Sequence, residues 1–98
     1  MKIVIVGSGN VGYHLAALLV EEGHDIVVID NQTRTLEKLV EILDINIVHG
    51  NGAYYDTQME AGVPDADLVI AVAQQDEINM LACLLAKKLG AKHTIARV

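Results

Sequence analysis

The chain has little of several things, and each scarcity removes a class of function. Its one cysteine, Cys83, cannot form an internal disulfide, and the neighbours Leu81, Ala82, Leu84 and Leu85 mark it as a core thiol rather than a nucleophile. Three tyrosines, Tyr13, Tyr54 and Tyr55, are the whole aromatic complement, too few for a base-stacking platform. Seven basic residues stand against thirteen acidic ones, and the formal charge of −6 repels nucleic acid and anionic membrane surfaces. The longest apolar runs, such as Leu68 to Ala73, are strand-length, far short of the ~20 residues of a membrane helix, so no direct membrane insertion is expected. The histidines His14, His24, His49 and His93 are scattered rather than set at ligand spacing, so no metal site is expected. No secretion signal precedes the first glycine turn, and a cytoplasmic location is the expectation.

What is present is apolar and periodic. Hydrophobic residues make up 52% of the 98 positions. Short Ile- and Val-rich runs alternate with longer stretches of helical period, the pattern of a parallel sheet covered by helices on both faces. Strands are expected at Lys2 to Val6, Asp25 to Asp30, Asn46 to His49, Leu68 to Val72 and His93 to Val98. Between them lie helices at Asn10 to Glu22, Thr33 to Leu43 and Asp76 to Leu89, and a short one around Thr57-Gln58-Met59-Glu60, which resembles a capping box. The first helix is expected to bury Val11, Leu15, Leu18 and Leu19, with Gly23 as a left-handed C-cap; the last is expected to bury Ile78, Leu81, Leu85 and Leu89. The fold class is α/β, a Rossmann-like doubly wound parallel sheet of about five strands in order 3-2-1-4-5, with the ligand crevice between strands one and four. Residues 1–98 read as one domain of this kind, truncated relative to a complete dinucleotide-binding fold.

One motif carries the chemistry. Gly7-Ser8-Gly9-Asn10-Val11-Gly12 follows directly on the first strand and opens an amphipathic helix, the context in which a Gly-x-Gly-x-x-Gly turn binds a pyrophosphate. Gly7 permits the sharp turn, Gly9 admits the phosphates and Gly12 lets the helix pack close to the strand, while free N–H groups and the positive helix end face the ligand. No Gly-Lys-Ser/Thr follows, so a triphosphate-gripping P-loop is not supported. Asp30, 18 positions after Gly12, stands where an acid accepts hydrogen bonds from the adenosine ribose; the alternative is a plain helix N-cap. A carboxylate there followed by the neutral Asn31 favours NAD(H) over NADP(H). Arg34 either swings toward a ribose phosphate or stacks on adenine, or is a solvated arginine of the second helix.

Ligands in such sheets bind at the carboxyl ends of the strands, which brings His49-Gly50-Asn51-Gly52-Ala53 and Ala73-Gln74-Gln75-Asp76 to the same crevice. Asn51 either serves a left-handed turn between its glycines or contacts adenine. A dehydrogenase also needs a positioned proton donor and a substrate pocket, usually from a second domain, and no length remains to build one. No catalytic residue is assigned.

Lys2 to Asp30, the His49-Gly50-Asn51-Gly52-Ala53 segment, Ala66 to Val72, Asp76-Glu77-Ile78-Asn79-Met80 and Ile95-Ala96-Arg97-Val98 together resemble the TrkA N-terminal domain. This is the nucleotide-binding RCK module of potassium-transport regulators. The resemblance implies a non-catalytic subunit that senses NAD(H), or in relatives ATP, ADP or AMP, and controls a membrane potassium transporter or channel, sitting at the inner face of the membrane through that partner. It implies that the glycine turn holds the pyrophosphate, Asp30 the ribose, Asn51, Gly52 and Ala53 the adenine side, Ala73 and Gln74 the far side, and Arg97 a place near the cleft. The family often has Thr-Asp or Thr-Asn where this chain has Ala73-Gln74-Gln75, which removes a hydroxyl and a carboxylate. Exposed apolar surface on a fifth strand at the edge points to a homo-oligomer. The competing reading is the cofactor-binding fragment of an NAD-dependent oxidoreductase.

Overall fold

A computed structural model describes residues 1–97. The strands are β1 (Lys2–Val6), β2 (Asp25–Asp30), β3 (Asn46–His49), β4 (Leu68–Ala71) and β5 (His93–Ala96). They form one parallel sheet in the order β3-β2-β1-β4-β5, as the alternation of runs implies. Val98, expected at the end of the fifth strand, lies outside the described residues.

Side-chain alternation divides the sheet into two apolar faces. Ile3, Ile5, Ile26, Val28 and Ile70 point to a layer made by α1 (Asn10–Glu21) and α2 (Thr33–Ile42). Val4, Val6, Val27, Ile29, Val69 and Ala71 point to the opposite layer, made by α3 (Tyr55–Glu60), a 3₁₀ turn at Val63–Asp65 and α4 (Asp76–Leu89). β1 is fully wrapped, with Ile3, Val4 and Ile5 at 0% exposure, and so fixes where the glycine turn must begin.

Two helix faces differ from expectation. In α1 the buried residues are Gly12 and Ala16, while Val11 and Leu18 are exposed. In α4 they are Asn79, Ala82, Cys83 and Ala86, while Leu81 is exposed along with Met80 and Leu84. Small residues face the sheet because they let the helices approach closely, and that rotates the larger side chains outward. Ile78, Leu85 and Leu89 sit half-buried at the margin. The capping-box reading of Thr57 is also overturned: α3 begins at Tyr55, so Thr57 lies within it, and the helix has no side-chain cap.

The ends of α1 behave as the glycines imply. Gly23 takes φ +90°, its N–H donates to Val20 O at 2.9 Å and the N–H of His24 donates to Leu19 O at 3.1 Å, the paired bonds of a Schellman stop. At the amino end of the sheet, the carboxylate of Asp67 accepts from the Lys2 backbone N–H at 2.8 Å and pairs with Lys92 at 3.1 Å. The Lys2 amide, with Lys92 beside it, holds the Asp67 carboxyl below its ordinary value.

Candidate functional site: a cleft at the carboxyl ends of the strands

The strands β1 and β4 are neighbours although their connections leave in opposite directions, so a gap opens between the loops that follow them. The cleft there has a volume of about 670 Å³. Its floor is the glycine turn, one wall is Ile29 to Gln32 with Gly50 to Gly52, and the other is Val72 to Gln75 with Glu77, Ile78 and Arg97.

Gly7 begins the turn at φ +108°, a conformation that side chains rarely adopt, and a Cβ there would lie 2.8 Å from the backbone nitrogen of Ala73. The turn is therefore seated directly against the β4 loop. At Gly12 a Cβ would drive into the carbonyl oxygen of Gly7, so the helix lies as close as only glycine allows. Ser8, Gly9, Asn10 and Val11, the last two in the first turn of α1, therefore line the cleft, whereas Gly12 is buried behind them.

Asp30 is the best-connected side chain of the cleft. Its Oδ2 accepts from the Ser8 N–H at 2.8 Å and from the Ser8 hydroxyl at 2.6 Å, and its Oδ1 accepts from the Gln32 N–H at 2.9 Å. The N-cap of α2 is Gln32, so the alternative role of Asp30 as a helix cap is removed. Two contacts on Oδ2 leave Oδ1 with a single protein donor, and a carboxylate oxygen accepts more than one. The wall is pinned further by His49 Nε2, 3.0 Å from Asn31 O, and by the Gly50 N–H donating to Asp30 O at 2.9 Å.

Asn51 does not make a left-handed turn, since no residue other than glycine has positive φ among the described residues. Its Oδ1 instead accepts the Ala53 N–H at 2.8 Å, an Asx turn that holds Asn51 and Gly52 at the cleft rim. Ala53 supports this turn and does not line the cleft, and neither does Arg34. Arg34 is exposed on α2, where Thr35 faces the cleft in its place. Asn31, Ala73, Gln74 and Arg97 all lie on the cleft as expected.

Gln75 also lies on the cleft as expected, whereas His49 and Asp76 do not line it; sequence reasoning missed Gln32, Thr35, Glu77 and Ile78 as lining residues. Gln32 and Thr35 follow from the entry angle of α2, which no periodicity encodes. Glu77 and Ile78 belong to the Asp-Glu-x-Asn-Met opening of α4, whose unusual composition was the available signal. Asp76 and Glu77 in that first turn also face the positive end of the helix dipole, with Lys87 and Lys88 at the other end. Among the described residues no group of three or more His, Cys, Asp or Glu side chains could hold a metal ion, and no helix is long and apolar enough to cross a membrane.

The family model of the TrkA-N domain matches residues 3–98. The chain belongs to the TrkA-N domain family. A Trk system potassium uptake protein TrkA homolog of Archaeoglobus fulgidus is 45% identical over 98 residues, all of this chain and 22% of the relative. The Trk system potassium uptake protein TrkA of Vibrio alginolyticus is 41% identical over 99 residues, again all of this chain and 22% of the relative. This TrkA-N domain thus spans under a quarter of the length of either relative.

Solved structures agree on the fold. The Kef C-terminal domain of Shewanella denitrificans, in an AMP-bound form, superposes with a TM-score of 0.80 at 22% identity, over 97% of this chain and 57% of that one. The anaerobillin reductase ChuY of Escherichia coli gives 0.75 at 18% identity, over 96% of this chain and 48% of that one.

Proposed function

We propose that this TrkA-N domain is the NAD(H)-binding regulatory part of a potassium uptake or channel system, and that nucleotide occupancy of its cleft gates an integral-membrane partner. The observation that carries the reading is the Asp30 carboxylate, fixed by Ser8 of the glycine turn at the β2 side of a cleft of about 670 Å³. One residue thereby links the phosphate-facing turn to the ribose position. The adenosine ribose hydroxyls donate to Asp30, the pyrophosphate lies on the N–H groups of Gly9 to Val11 at the start of α1, and Asn51 and Gly52 border the adenine. Ala73, Gln74 and Arg97 take the far half of the dinucleotide. Asp30 repels a 2′-phosphate, which favours NAD(H) over NADP(H); ATP, ADP and AMP fill the adenosine half alone.

The Ser8 hydroxyl is held by Asp30 as part of the glycine turn, and the potassium-uptake names of the relatives support binding as a signal rather than as a step in a reaction. Gating requires that the ligand favour one arrangement of the assembly over another, since equal affinity for both moves nothing. Such a module works on the cytoplasmic side, through its partner and as a homo-oligomer. The fold likeness to a reductase favours a second reading, the cofactor half of an oxidoreductase.

The test places the domain in its full-length protein and follows nucleotide-dependent potassium flux through the membrane partner. The sensor reading expects flux to respond to NAD(H) and the response to move to higher nucleotide concentration in Asp30→Ala. Flux indifferent to nucleotide, together with reduction of the nicotinamide by a small alcohol or acid, would transfer support to the oxidoreductase reading.

A further inference from the structure

Two uncharged polar side chains are wholly buried, Gln58 and Asn79, and both act on the walls of the cleft from behind. Gln58 Nε2 donates to Gly52 O at 2.8 Å and to Ala82 O at 2.9 Å, so it ties the β2-side rim to α4. Asn79, in the first turns of α4, accepts the Ala73 N–H at 2.8 Å and donates to Ala73 O at 3.0 Å and Arg97 O at 3.1 Å. Its acceptor and its donor group are both engaged by backbone, and Asn79 itself does not line the cleft.

The peptide groups it holds are not remote. Ala73 lies on the cleft wall, and its backbone is the surface against which Gly7 is seated. Arg97 closes the same wall, and its own N–H donates to Ala71 O at 2.9 Å, continuing the β4–β5 pairing. A dinucleotide laid across the switch point reaches this wall, whereas an adenine mononucleotide is satisfied by the glycine turn and the β2 side.

We propose that Asn79 is a positioning residue that sets the β4 half of the cleft and fastens it to the backbone leaving β5, so that the choice between dinucleotide and mononucleotide depends on its carboxamide. This rests on the nucleotide-binding reading above. A carboxylate in its place keeps the shape and the acceptor for Ala73 N–H but cannot donate when ionised, and two carbonyls lose their partner. Loss of a buried hydrogen-bonding partner displaces the groups it held.

The test is titration of the unmodified chain and of Asn79→Asp with NADH and with AMP. Loss of about tenfold in NADH affinity, with AMP within about twofold, is expected from the removal of buried hydrogen bonds on one wall only. Equal losses for both ligands, the mark of a structural role alone, would overturn the inference, as would no change in either. If the unmodified chain binds neither ligand, the nucleotide reading itself falls, and the inference with it. Should the variant not fold, the side-chain amide resonances of Asn79 in the unmodified chain give the same answer. NADH is expected to shift them and AMP to leave them in place; an equal response to both overturns the proposal.

Discussion

The two walls of the cleft are built on different physical terms. The β2 wall presents a charged acceptor at its surface, Asp30, locked to the glycine turn by Ser8. The β4 wall presents mostly backbone and neutral side chains, Ala73, Gln74 and Gln75, with Glu77 and Arg97 at its margin, and its geometry is set from behind by the buried Asn79. A fixed carboxylate recognises hydroxyl donors whatever the rest of the ligand is. A backbone-lined wall recognises by shape, and its selectivity depends on how firmly the backbone is held.

Substitutions on the β2 wall are expected to have the largest effect on binding. Asp30→Ala removes the proposed ribose acceptor and frees two Ser8 donors, and is expected to weaken every adenine nucleotide by about 1–3 kcal/mol; calorimetry that showed dinucleotides alone affected would erase the distinction between the walls. Gly12→Ala strikes what the walls share. Its Cβ meets the Gly7 carbonyl, so the helix must retreat, and overpacking of this kind costs about 1–3 kcal/mol of folding stability, read from denaturant midpoints. Ser8→Ala keeps the backbone donor to Asp30 but removes the hydroxyl, and about 1 kcal/mol of affinity is expected to be lost for mononucleotide and dinucleotide alike. Gln74→Ala, on the exposed β4 wall, is expected to change NADH affinity by less than Ser8→Ala and AMP affinity not at all.

The smallest expected effect lies at the other end of the sheet and serves as a control. The carboxyl of Asp67 is held below its ordinary value in the fold. Its stabilising contribution is therefore present above the unfolded carboxyl range and is lost as pH falls through the depressed folded value. Asp67→Asn should lower the melting temperature slightly at neutral pH, the difference should close in acid, and nucleotide affinity at neutral pH should not move.

The sequence was most legible where local pattern and function coincide. The places of Gly7 and Gly12 were legible because each answers to one steric requirement, the place of Asp30 on the cleft because it ends a strand beside the glycine turn, and strand order followed from the alternation of β-runs with helices. Side-chain facing was less legible: Val11, Leu18 and Leu81 look like core residues by period, but Ala16, Ala82 and Ala86 take the sheet-facing positions. Small residues give a weak apolar signal while permitting the closest approach. The roles of Gln58 and Asn79 were hidden because nothing in a sequence shows that an amide is buried or which backbone groups it meets. Arg34 and Ala53 failed as lining residues for a related reason, the helix entry angle and the Asx turn being properties of the assembled loop.

In the proposed function the cleft takes an adenine dinucleotide, anchored on Asp30 and extending to the β4 wall. Calorimetric titration of the chain with NAD⁺, NADH, ATP, ADP and AMP tests it most directly. NAD⁺ or NADH is expected to bind more tightly than any of the mononucleotides. Tighter binding of AMP, ADP or ATP, or no binding of any of the five at millimolar concentration, would contradict it.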